Sequence, residues 1–276
     1  TNWNNYLEFA DWWGFDNFHD EDFKVSEYNG RQIMALAEQA YIAYSKKLLE
    51  GEPLDSFGQN RAVDKDKISA FLPKLNQIIE EHPSYQYPAY FKAKLLIELG
   101  EGQDSLSSFL PFALKKRNEF WVWDVMAEIF SDDVEMQFAC FCKALSLKTQ
   151  EDFLIKLRLK FASLLIERKM YSEAKFEINK VKEVKENHGW NLSNQIKRWI
   201  NEDWYLSSEP SSNNKKLYLK YIDKAEEILY KDIPEEVVAV EFVNTNKNML
   251  NFIKNKKKHG FFKYPKKLNH PQVGDV

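Results

Sequence analysis

The sequence predicts an all-α protein made of antiparallel helix pairs, with a short β segment at its C-terminal end. Glycine and proline are scarce, with 9 of each in 276 residues. Few glycines disfavour β-rich and dinucleotide-binding folds, because tight turns and phosphate loops need positive φ. Apolar residues recur at intervals of three and four, as in amphipathic helices. Helical segments begin near Pro88, Phe120 and Asp152, a constant step of 32 residues that indicates a helical repeat array.

The N-terminal part of the chain is predicted to contain two helices. The first covers residues 31–49 and is followed by Gly51, at a position suited to a left-handed C-cap. The second covers residues 66–81 and ends just before Pro83, because the residue before a proline disfavours helical backbone. The stretch 52–64 between them is rich in turn-forming residues and is predicted to be a loop.

The central part is predicted to form three consecutive helix pairs. They cover residues 88–99 with 104–117, 120–130 with 134–147, and 152–168 with 172–185. Asp132 and Asp133 are predicted to cap the helix that begins at Val134. Two more helices are predicted over residues 191–206 and 215–230.

The third pair carries the clearest repeat pattern. Small and apolar residues bring its two helices close and a tyrosine closes the turn: Phe161, Ala162, Leu165, Tyr171, Ala174, Ile178 and Val181. This pattern resembles the tetratricopeptide repeat over one repeat unit. The resemblance implies a right-handed superhelix of about five helix pairs, whose concave surface can hold an extended peptide, a helix or a nucleic-acid strand.

Charge is distributed unevenly, although the net charge is only −3. Residues 1–50 carry nine acidic and four basic side chains, whereas residues 244–267 carry eight lysines and no acid. This asymmetry predicts that the two ends meet different partners. Three regions are predicted: an aromatic and acidic cap with the first helix at 1–64, the repeat array at 65–231, and an incomplete β module at 232–276.

The last part of the chain changes from helical to strand-like. Three segments rich in β-branched and aromatic residues are predicted strands: 237–243, 249–253 and 260–264. The run 240–244, the lysine-rich interval after it and the run 258–264 resemble the opening strands of a cold-shock or S1-type OB fold. In those families, aromatic side chains of these strands stack on bases. The closing Val273-Gly274-Asp275-Val276 resembles the start of a later strand, so we expect that the domain continues beyond this sequence.

The aromatic run near the N-terminus has two interpretations. It comprises Trp3, Tyr6, Phe9, Trp12, Trp13, Phe15 and Phe18. These rings can seal the exposed end of the helical array, or they can form a peptide-binding surface. Residues 12–18 and Glu21-Asp22-Phe23, with the helical array and the S1-like start, are similar to an uncharacterised helical domain. That domain precedes S1-like domains in proteins of the bacterial TOTE conflict systems, which implies a role in defence or nucleic-acid handling.

A candidate nucleic-acid-binding site lies in the C-terminal segment. Lysines alternate there with aromatic residues, and the predicted set is Lys254, Lys256, Lys257, Lys258, Phe261, Phe262, Lys263 and Tyr264. Ammonium groups neutralise phosphates while rings stack on bases, which is the chemistry that binds single-stranded nucleic acid. The alternative is an exposed lysine loop that keeps a sheet edge soluble.

No catalytic or cofactor-binding motif is present in the sequence. Nucleotide-binding glycine loops, the serine-hydrolase elbow and the zinc-protease helix motif are all missing. His19 lies in an acidic run that could offer metal ligands, but an acidic turn that caps the next segment accounts for the same residues. Cys140 and Cys142 are two residues apart on a predicted helix, which suits neither a disulfide nor a metal site.

The sequence therefore predicts a cytoplasmic, non-enzymatic scaffold with no cofactor. Its expected partner is a protein or peptide held in the concave groove of the helical array. The alternative is an adaptor that binds single-stranded RNA or DNA through its lysine-rich C-terminal end. No run approaches the ~20 apolar residues of a membrane span, and residues 1–9 do not resemble a signal peptide, so no membrane partner is expected.

Overall fold

The structure is a computed structural model that describes residues 3, 5–53, 61–231, 233–234, 236–264 and 271–276. The chain divides into two compact units, Thr1–Leu229 and Tyr230–Val276. The first unit is mostly helical, and the second contains a three-stranded antiparallel sheet. The prediction of a mostly helical protein with a C-terminal β segment is therefore confirmed. None of the helices in the described ranges is both long and apolar enough to cross a membrane.

Twelve α-helices and seven strands occur in the described residues. The N-terminal elements are α1 (Tyr6–Trp13), a 3-10 turn (Phe15–Asn17), β1 (Ser26–Tyr28), β2 (Arg31–Ile33), α2 (Leu36–Glu50), β3 (Glu52–Pro53), β4 (Arg61–Ala62) and α3 (Lys65–Glu81). The central helices are α4 (Pro88–Leu99), α5 (Gly102–Lys115), α6 (Phe120–Ile129), α7 (Val134–Ser146), α8 (Glu151–Glu167) and α9 (Tyr171–Asn187). They are followed by α10 (Asn194–Trp199), α11 (Asp203–Ser207), α12 (Lys215–Tyr230), β5 (Ala239–Asn244), β6 (Met249–Asn255) and β7 (Lys258–Lys263).

The prediction of a helix from residue 31 is wrong over its first turn. Strands β1 and β2 pair antiparallel there, and the helix begins only at Leu36. The turn between the strands is Asn29-Gly30, whose φ angles of 51° and 71° are both positive. A two-residue turn with two positive φ angles matches the right-handed twist of paired strands, so an Asn-Gly pair favours a hairpin. This local signal prevails over the helical spacing of the apolar residues around it.

Gly51 follows α2 with positive φ, as predicted, but its backbone is extended rather than left-handed helical. Its φ is 63° and its ψ is −178°, and its N–H donates to the Leu48 carbonyl oxygen at 3.2 Å. A Cβ atom here would lie 2.5 Å from the Ala62 carbonyl oxygen. Glycine is therefore required both by the conformation and by the close approach of β4. Of the predicted loop at 52–64, residues 54–60 lie outside the described residues.

The central helices begin and end close to the predicted positions. Helix α4 covers the predicted residues, and the ends of α6 and α7 differ from the prediction by a single residue. The Asp133 side chain accepts hydrogen bonds from the N–H groups of Glu135 and Met136, at 3.1 and 3.0 Å, so the predicted cap is confirmed. Contacts join these helices into the antiparallel pairs α4/α5, α6/α7 and α8/α9.

The helix predicted at 191–206 is broken into two short helices, α10 and α11. The Asn201 side chain donates to the Lys197 carbonyl oxygen at 2.7 Å, and the Asn201 N–H donates to Arg198 instead. In a continuing helix, the Asn201 N–H would donate to the Lys197 carbonyl oxygen. The Asn201 side chain takes that oxygen instead, which ends the helix. The prediction of a continuous helix here is wrong.

Helix α12 does not complete a fifth pair with α10 and α11. Its Tyr221 and Tyr218 rings lie 4.9 Å from Phe138 and 6.2 Å from Phe161, measured between ring centroids. It therefore packs back on α7 and α8, and its Glu226 forms an ion pair with Lys143 of α7 at 2.6 Å. The expectation of five successive pairs is corrected in this respect, because the preceding helices are too short to offer α12 a continuous face.

The residues of the predicted repeat pattern lie where α8 and α9 meet. Six of them have no exposed surface: Phe161, Ala162, Leu165, Ala174, Ile178 and Val181. Tyr171 is half-buried and stacks on Trp204 of α11, with 5.4 Å between ring centroids. Nearby, Trp123 and Phe138 are also fully buried and form the centre of the largest apolar core. Close packing of these side chains stabilises the array, because each buried large apolar side chain contributes about 1.5–3 kcal/mol.

The aromatic run near the N-terminus is divided between core and surface. Phe15 is buried against Tyr41, Tyr44 and Phe71, with ring centroids 4.5–5.6 Å away. In contrast, Trp3, Phe9 and Trp12 are exposed. The run therefore seals part of the first helices, as one interpretation proposed, and leaves other rings on the surface.

Candidate functional site

The C-terminal sheet carries a row of exposed aromatic side chains. Its strand order is β5-β6-β7, and Phe242, Asn251 and Phe261 are direct partners across the three strands. Direct partners project from the same face of a sheet. Phe242 is 55% exposed and Phe261 is 68% exposed. Two rings therefore flank the Asn251 amide on one surface, which we call the outer face.

The opposite face of the sheet is its inner, apolar side. Val243, Leu250 and Phe262 are partners there, and Leu250 is buried. The rings of Phe252 and Phe262 lie 6.0 Å apart, and Phe252 also covers Gly260. A glycine covered by an aromatic ring is a known way to stabilise a strand.

This alternation divides the predicted nucleic-acid-binding set. Phe261 and Lys263 lie on the outer face, whereas Phe262 belongs to the inner face and Tyr264 is only 5% exposed. The aromatic residues of the predicted set therefore do not share one surface, because neighbouring residues of a strand point in opposite directions. Phe242 was not in the predicted set, and its only sequence signal was its place in the run 240–244.

The lysines of the predicted set lie near the end of β6, in the turn that follows, and at the two ends of β7. Lys256 and Lys257 form the turn before it, where the Asn255 side chain accepts from the Lys257 N–H at 2.9 Å. Lys254 and Lys258 form ion pairs with Glu236. Lys256, Lys257 and Lys263 form none with any residue that the structure describes. Lys266 and Lys267 lie outside the described residues.

The last residues of the sequence pair with β5. The Val240 N–H donates to the Asp275 carbonyl oxygen at 2.8 Å, and the Gly274 N–H donates to the Val240 carbonyl oxygen at 2.9 Å. The closing Val-Gly-Asp-Val thus lies beside the edge of the sheet, in the manner of a further strand. This protects the β5 edge from pairing with other chains.

The helical unit contains a separate candidate site, an apolar groove on the face formed by α2, α4 and α6. Its volume is about 700 Å³. Its lining residues are mostly apolar or aromatic: Tyr6, Met34, Leu36, Gln39, Ala40, Ile42, Ala43, Lys46, Tyr87, Tyr90, Phe91 and Trp121. Trp121 meets Tyr90 edge to face at 5.3 Å, whereas Trp123 is buried in the core. These two tryptophans therefore point to different faces of α6.

A ladder of paired charges continues the same face from α4 to α8. Lys160 contacts Asp124 at 2.7 Å and Glu128 at 2.8 Å, and Glu128 also pairs with Lys94. Burial alone would raise the pKa of Glu128, but the two lysines hold that pKa below its ordinary value. Burial, together with the nearby Glu128 and Asp124 charges, raises the pKa of Tyr90. The ladder thus ties three successive helix pairs together through partly buried ions.

A buried polar cluster joins α8, α9 and α12, and sequence reasoning missed it. Glu177 is completely buried and accepts hydrogen bonds from Arg158, Tyr218 and Asn214. Burial raises the pKa of the Glu177 carboxyl, although all three partners favour its charged form. Arg158 also binds Glu151 through its Nε at 2.9 Å. A charged residue in a helical pattern is ordinarily assigned to solvent, so no signal in the sequence distinguished this pair.

Cys140, Cys142 and His19 carry the reactive side chains that the sequence singles out. Burial raises the pKa of the Cys140 and Cys142 thiols, which makes them poor nucleophiles, and both are free. His19 lies in a turn where its N–H donates to the Asp22 carboxylate at 2.9 Å. Within the described ranges no group of three or more potential ligands could hold a metal ion.

Two protein families match the chain. The first is described as a domain of unknown function (DUF7017) and matches residues 86–225, just over half of the sequence. The chain belongs to the DUF7017 family. The second is described as S1/CSD-like domain 1 of the TOTE conflict systems and matches residues 230–276. No curated protein and no solved structure matches this chain.

These matches confirm the coarse resemblance found in the sequence. The DUF7017 region contains the helices from α4 into α12, and the S1/CSD-like region contains the three-stranded sheet. The finer likeness to the tetratricopeptide repeat stays a prediction. The outer face of the sheet and the apolar groove are the two candidate binding surfaces of this DUF7017 protein.

Proposed function

We propose that this DUF7017 protein is a non-enzymatic adaptor that binds single-stranded nucleic acid through the outer face of its sheet. The observation that carries this proposal is the row of Phe242, Asn251 and Phe261, with both rings exposed. The match to an S1/CSD-like domain supports the same function.

The chemistry of the outer face fits an unpaired strand better than a duplex. Phe242 and Phe261 lie on strands separated by β6, so their Cα atoms are about 10 Å apart. At that spacing the two rings can stack on different bases, at ~1–3 kcal/mol per base and with little dependence on sequence. Lys256, Lys257 and Lys263 supply the cations for the phosphates.

This function can be tested by fluorescence anisotropy with the full chain and labelled oligonucleotides of about ten nucleotides, within the site size of OB folds. We expect Phe261→Ala to weaken binding about 5- to 100-fold, as the loss of one stacked base requires. The double variant Lys256→Glu/Lys257→Glu should weaken binding and flatten its salt dependence.

The matched control is Lys215→Glu/Lys216→Glu, which makes the same charge change on exposed residues of α12. It should leave binding within about twofold, because these two lysines belong to the helical unit and are not part of the outer face. If the wild-type protein binds no oligonucleotide, or if both double variants weaken binding equally, the proposal fails.

A second function is supported by the groove: the helical unit is a protein-interaction scaffold, arranged as a tetratricopeptide-like superhelix. Aromatic residues in an apolar concavity are typical of binding hot spots. Residues 230–276 match an S1/CSD-like domain of the TOTE conflict systems, and we propose a defence complex as the setting of the scaffold.

The scaffold function can be tested by photo-crosslinking in the cells that express the protein. A benzophenone side chain is placed at Leu36, which lies at the groove and is 56% exposed, or at Phe153, which is 63% exposed and does not line it. We expect one protein to crosslink at Leu36 and not at Phe153. Identical products at the two positions, or none, would contradict the scaffold function.

A further inference from the structure

The groove offers few hydrogen-bonding groups to an incoming main chain. The Tyr6 hydroxyl donates to the Ala40 carbonyl oxygen at 3.0 Å, and the Gln39 amide donates to the Met34 carbonyl oxygen at 2.8 Å. These two donors are already used within the protein, and the donors that remain are the side-chain groups of Tyr87, Tyr90, Trp121 and Lys46, which do not repeat along a strand as the main chain of an extended peptide requires. An extended peptide buried here would leave its N–H and C=O groups unpaired, at about 1–3 kcal/mol each. A helix satisfies its own main chain and can bury an apolar stripe without that cost.

The walls of the groove are shaped for such a stripe. Ala40 and Ala43 are small residues of α2, so they leave space between this helix and the rings of Tyr90 and Trp121. The volume of about 700 Å³ is enough for several apolar side chains. Leu36 remains exposed beside the groove, which extends its apolar surface along α2.

One charge distinguishes the groove from a purely apolar surface. Lys46 is the single charged residue in its lining, it is exposed, and it forms no ion pair within the described parts of the chain. Its Nζ lies 5.8 Å from the centroid of the Phe91 ring, so the ammonium group is beside the apolar wall. A carboxylate on the occupant would pair with it at the edge of the groove.

The neighbouring charges disfavour nucleic acid as the occupant. Lys94 and Lys160 are already paired with Glu128 and Asp124. Among the described residues, a phosphate backbone would therefore find one unpaired cation, Lys46, at the groove and two carboxylates beyond it. Nucleic-acid sites need several uncompensated cations, since affinity rises with the number of phosphates neutralised.

We propose that the groove binds an amphipathic helix of a partner protein. Apolar residues at i, i+3 or i+4, and i+7 of that helix pack against Tyr90 and Trp121, and an acidic residue beside the stripe pairs with Lys46. This inference rests on the proposed scaffold function and specifies its partner.

The test uses the full chain and three labelled peptides of about 16 residues, long enough for a marginally stable helix. The first has a leucine stripe with one flanking glutamate, the second has lysine in place of that glutamate, and the third has the first composition with a central proline that breaks the helix. We expect the glutamate peptide to bind most tightly, and both others to bind about tenfold more weakly, a difference of ~1.4 kcal/mol.

Reversing the charge of Lys46 then tests whether the peptides bind at the groove. Lys46→Glu should reverse the preference, so that the lysine peptide binds more tightly than the glutamate peptide. Lys65→Glu makes the same change at an exposed residue of α3 outside the groove and should leave the preference unchanged. Leu36→Asp, at an exposed position, should weaken both helical peptides.

The outcomes separate this inference from the scaffold function. If the proline peptide binds as well as the helical one, or if Lys46→Glu does not change the preference, the helical acidic occupant is wrong. A protein that still crosslinks at Leu36 in cells would then keep the scaffold function. If crosslinking at Leu36 fails as well, both proposals fall.

Discussion

The helical unit and the sheet unit differ in how many of their cationic side chains form ion pairs. In the helical unit, cations near the core are paired: Lys143 with Glu226, Lys160 with two acids, and Arg158 with Glu177. In the sheet unit, Lys256 and Lys257 form no ion pair with the residues that the structure describes. A buried cation that is paired is already neutralised within the fold and costs stability if its partner is removed, whereas unpaired cations remain available for an anionic ligand.

Aromatic residues show the same contrast. Phe161 of α8 has no exposed surface, whereas Phe261 of β7 is 68% exposed. The first ring is held by its neighbours, and the second projects from a three-stranded sheet. We infer that most aromatic residues of the helical unit stabilise its core. In the sheet unit, Phe242 and Phe261 remain exposed and available for binding.

The largest expected effect comes from replacing these two phenylalanines with alanine. Phe161→Ala should lower the free energy of unfolding by about 3–5 kcal/mol, because it leaves a cavity in a core that cannot collapse freely. Phe261→Ala should lower it by less than about 1 kcal/mol, since its ring is mostly in water already. Urea denaturation monitored by circular dichroism measures the stability of the helices in each variant. A thermal-shift assay measures the stability of the whole chain. Equal losses would remove the contrast between the units.

A second effect tests whether paired charges in the helical unit are structural. Glu177→Ala removes the acceptor shared by Arg158, Tyr218 and Asn214, and should cost about 3 kcal/mol. The value is at the low end of the range for broken buried pairs because Glu151 still binds Arg158. Glu183→Ala, on the exposed side of the same helix, should leave the urea midpoint unchanged. If Glu177→Ala lowers the free energy of unfolding by much less than this, the hydrogen bonds of Glu177 do not hold α12 in place.

The order of the helices could be predicted from sequence because their ends carry local signals. Asp133, which caps α7, and Pro88, at the start of α4, fix the start of a helix through groups only a few residues away. Asn29-Gly30 is also such a signal, for the hairpin before α2. The apolar spacing around it predicts a helix instead, and the structure follows the turn signal. The break at Asn201 depends on a hydrogen bond from its side chain to the Lys197 carbonyl oxygen, and amino-acid composition does not reveal that bond.

The binding surfaces were harder to predict, because they combine residues that are distant in sequence. The groove brings Tyr6 together with Trp121, and no repeat pattern indicates that pair. In the sheet, the lysine and aromatic composition pointed to the segment that forms the end of β6 and all of β7. The division between Phe261 and Phe262 needed the strand register, since a shift by one residue exchanges the two faces.

The charge ladder of the helical unit should make stability depend on pH. The folded pKa of Glu128 is below its ordinary value of 4.5, so its contribution is present above pH 4.5 and is lost as pH falls through the folded pKa. Glu128→Gln should therefore cost about 1 kcal/mol at pH 7, a value reduced by the partial exposure of the group. The difference from wild type should vanish in acid.

The control for this pH dependence is Glu167→Gln, at an exposed residue of α8 outside the ladder. Its stability should run parallel to that of wild type from pH 7 to acid, because Glu167 forms no ion pair with the residues that the structure describes. Urea midpoints measured across this range decide the question. A constant difference between Glu128→Gln and wild type would show that the two lysines do not act on Glu128 through its charge.

The smallest expected effect concerns Glu236, the acid that pairs with lysines in the described part of the sheet unit. Glu236 contacts Lys254 at 3.5 Å and also pairs with Lys258. Glu236→Gln frees both cations, so the slope of log affinity against log salt should steepen by up to about 1.4, or about 0.7 per lysine on a single strand. Glu241→Gln removes the same charge from an exposed position on β5 that forms no ion pair in the described structure. If both variants steepen the slope equally, only net charge matters, and the outer face has no defined site for phosphate.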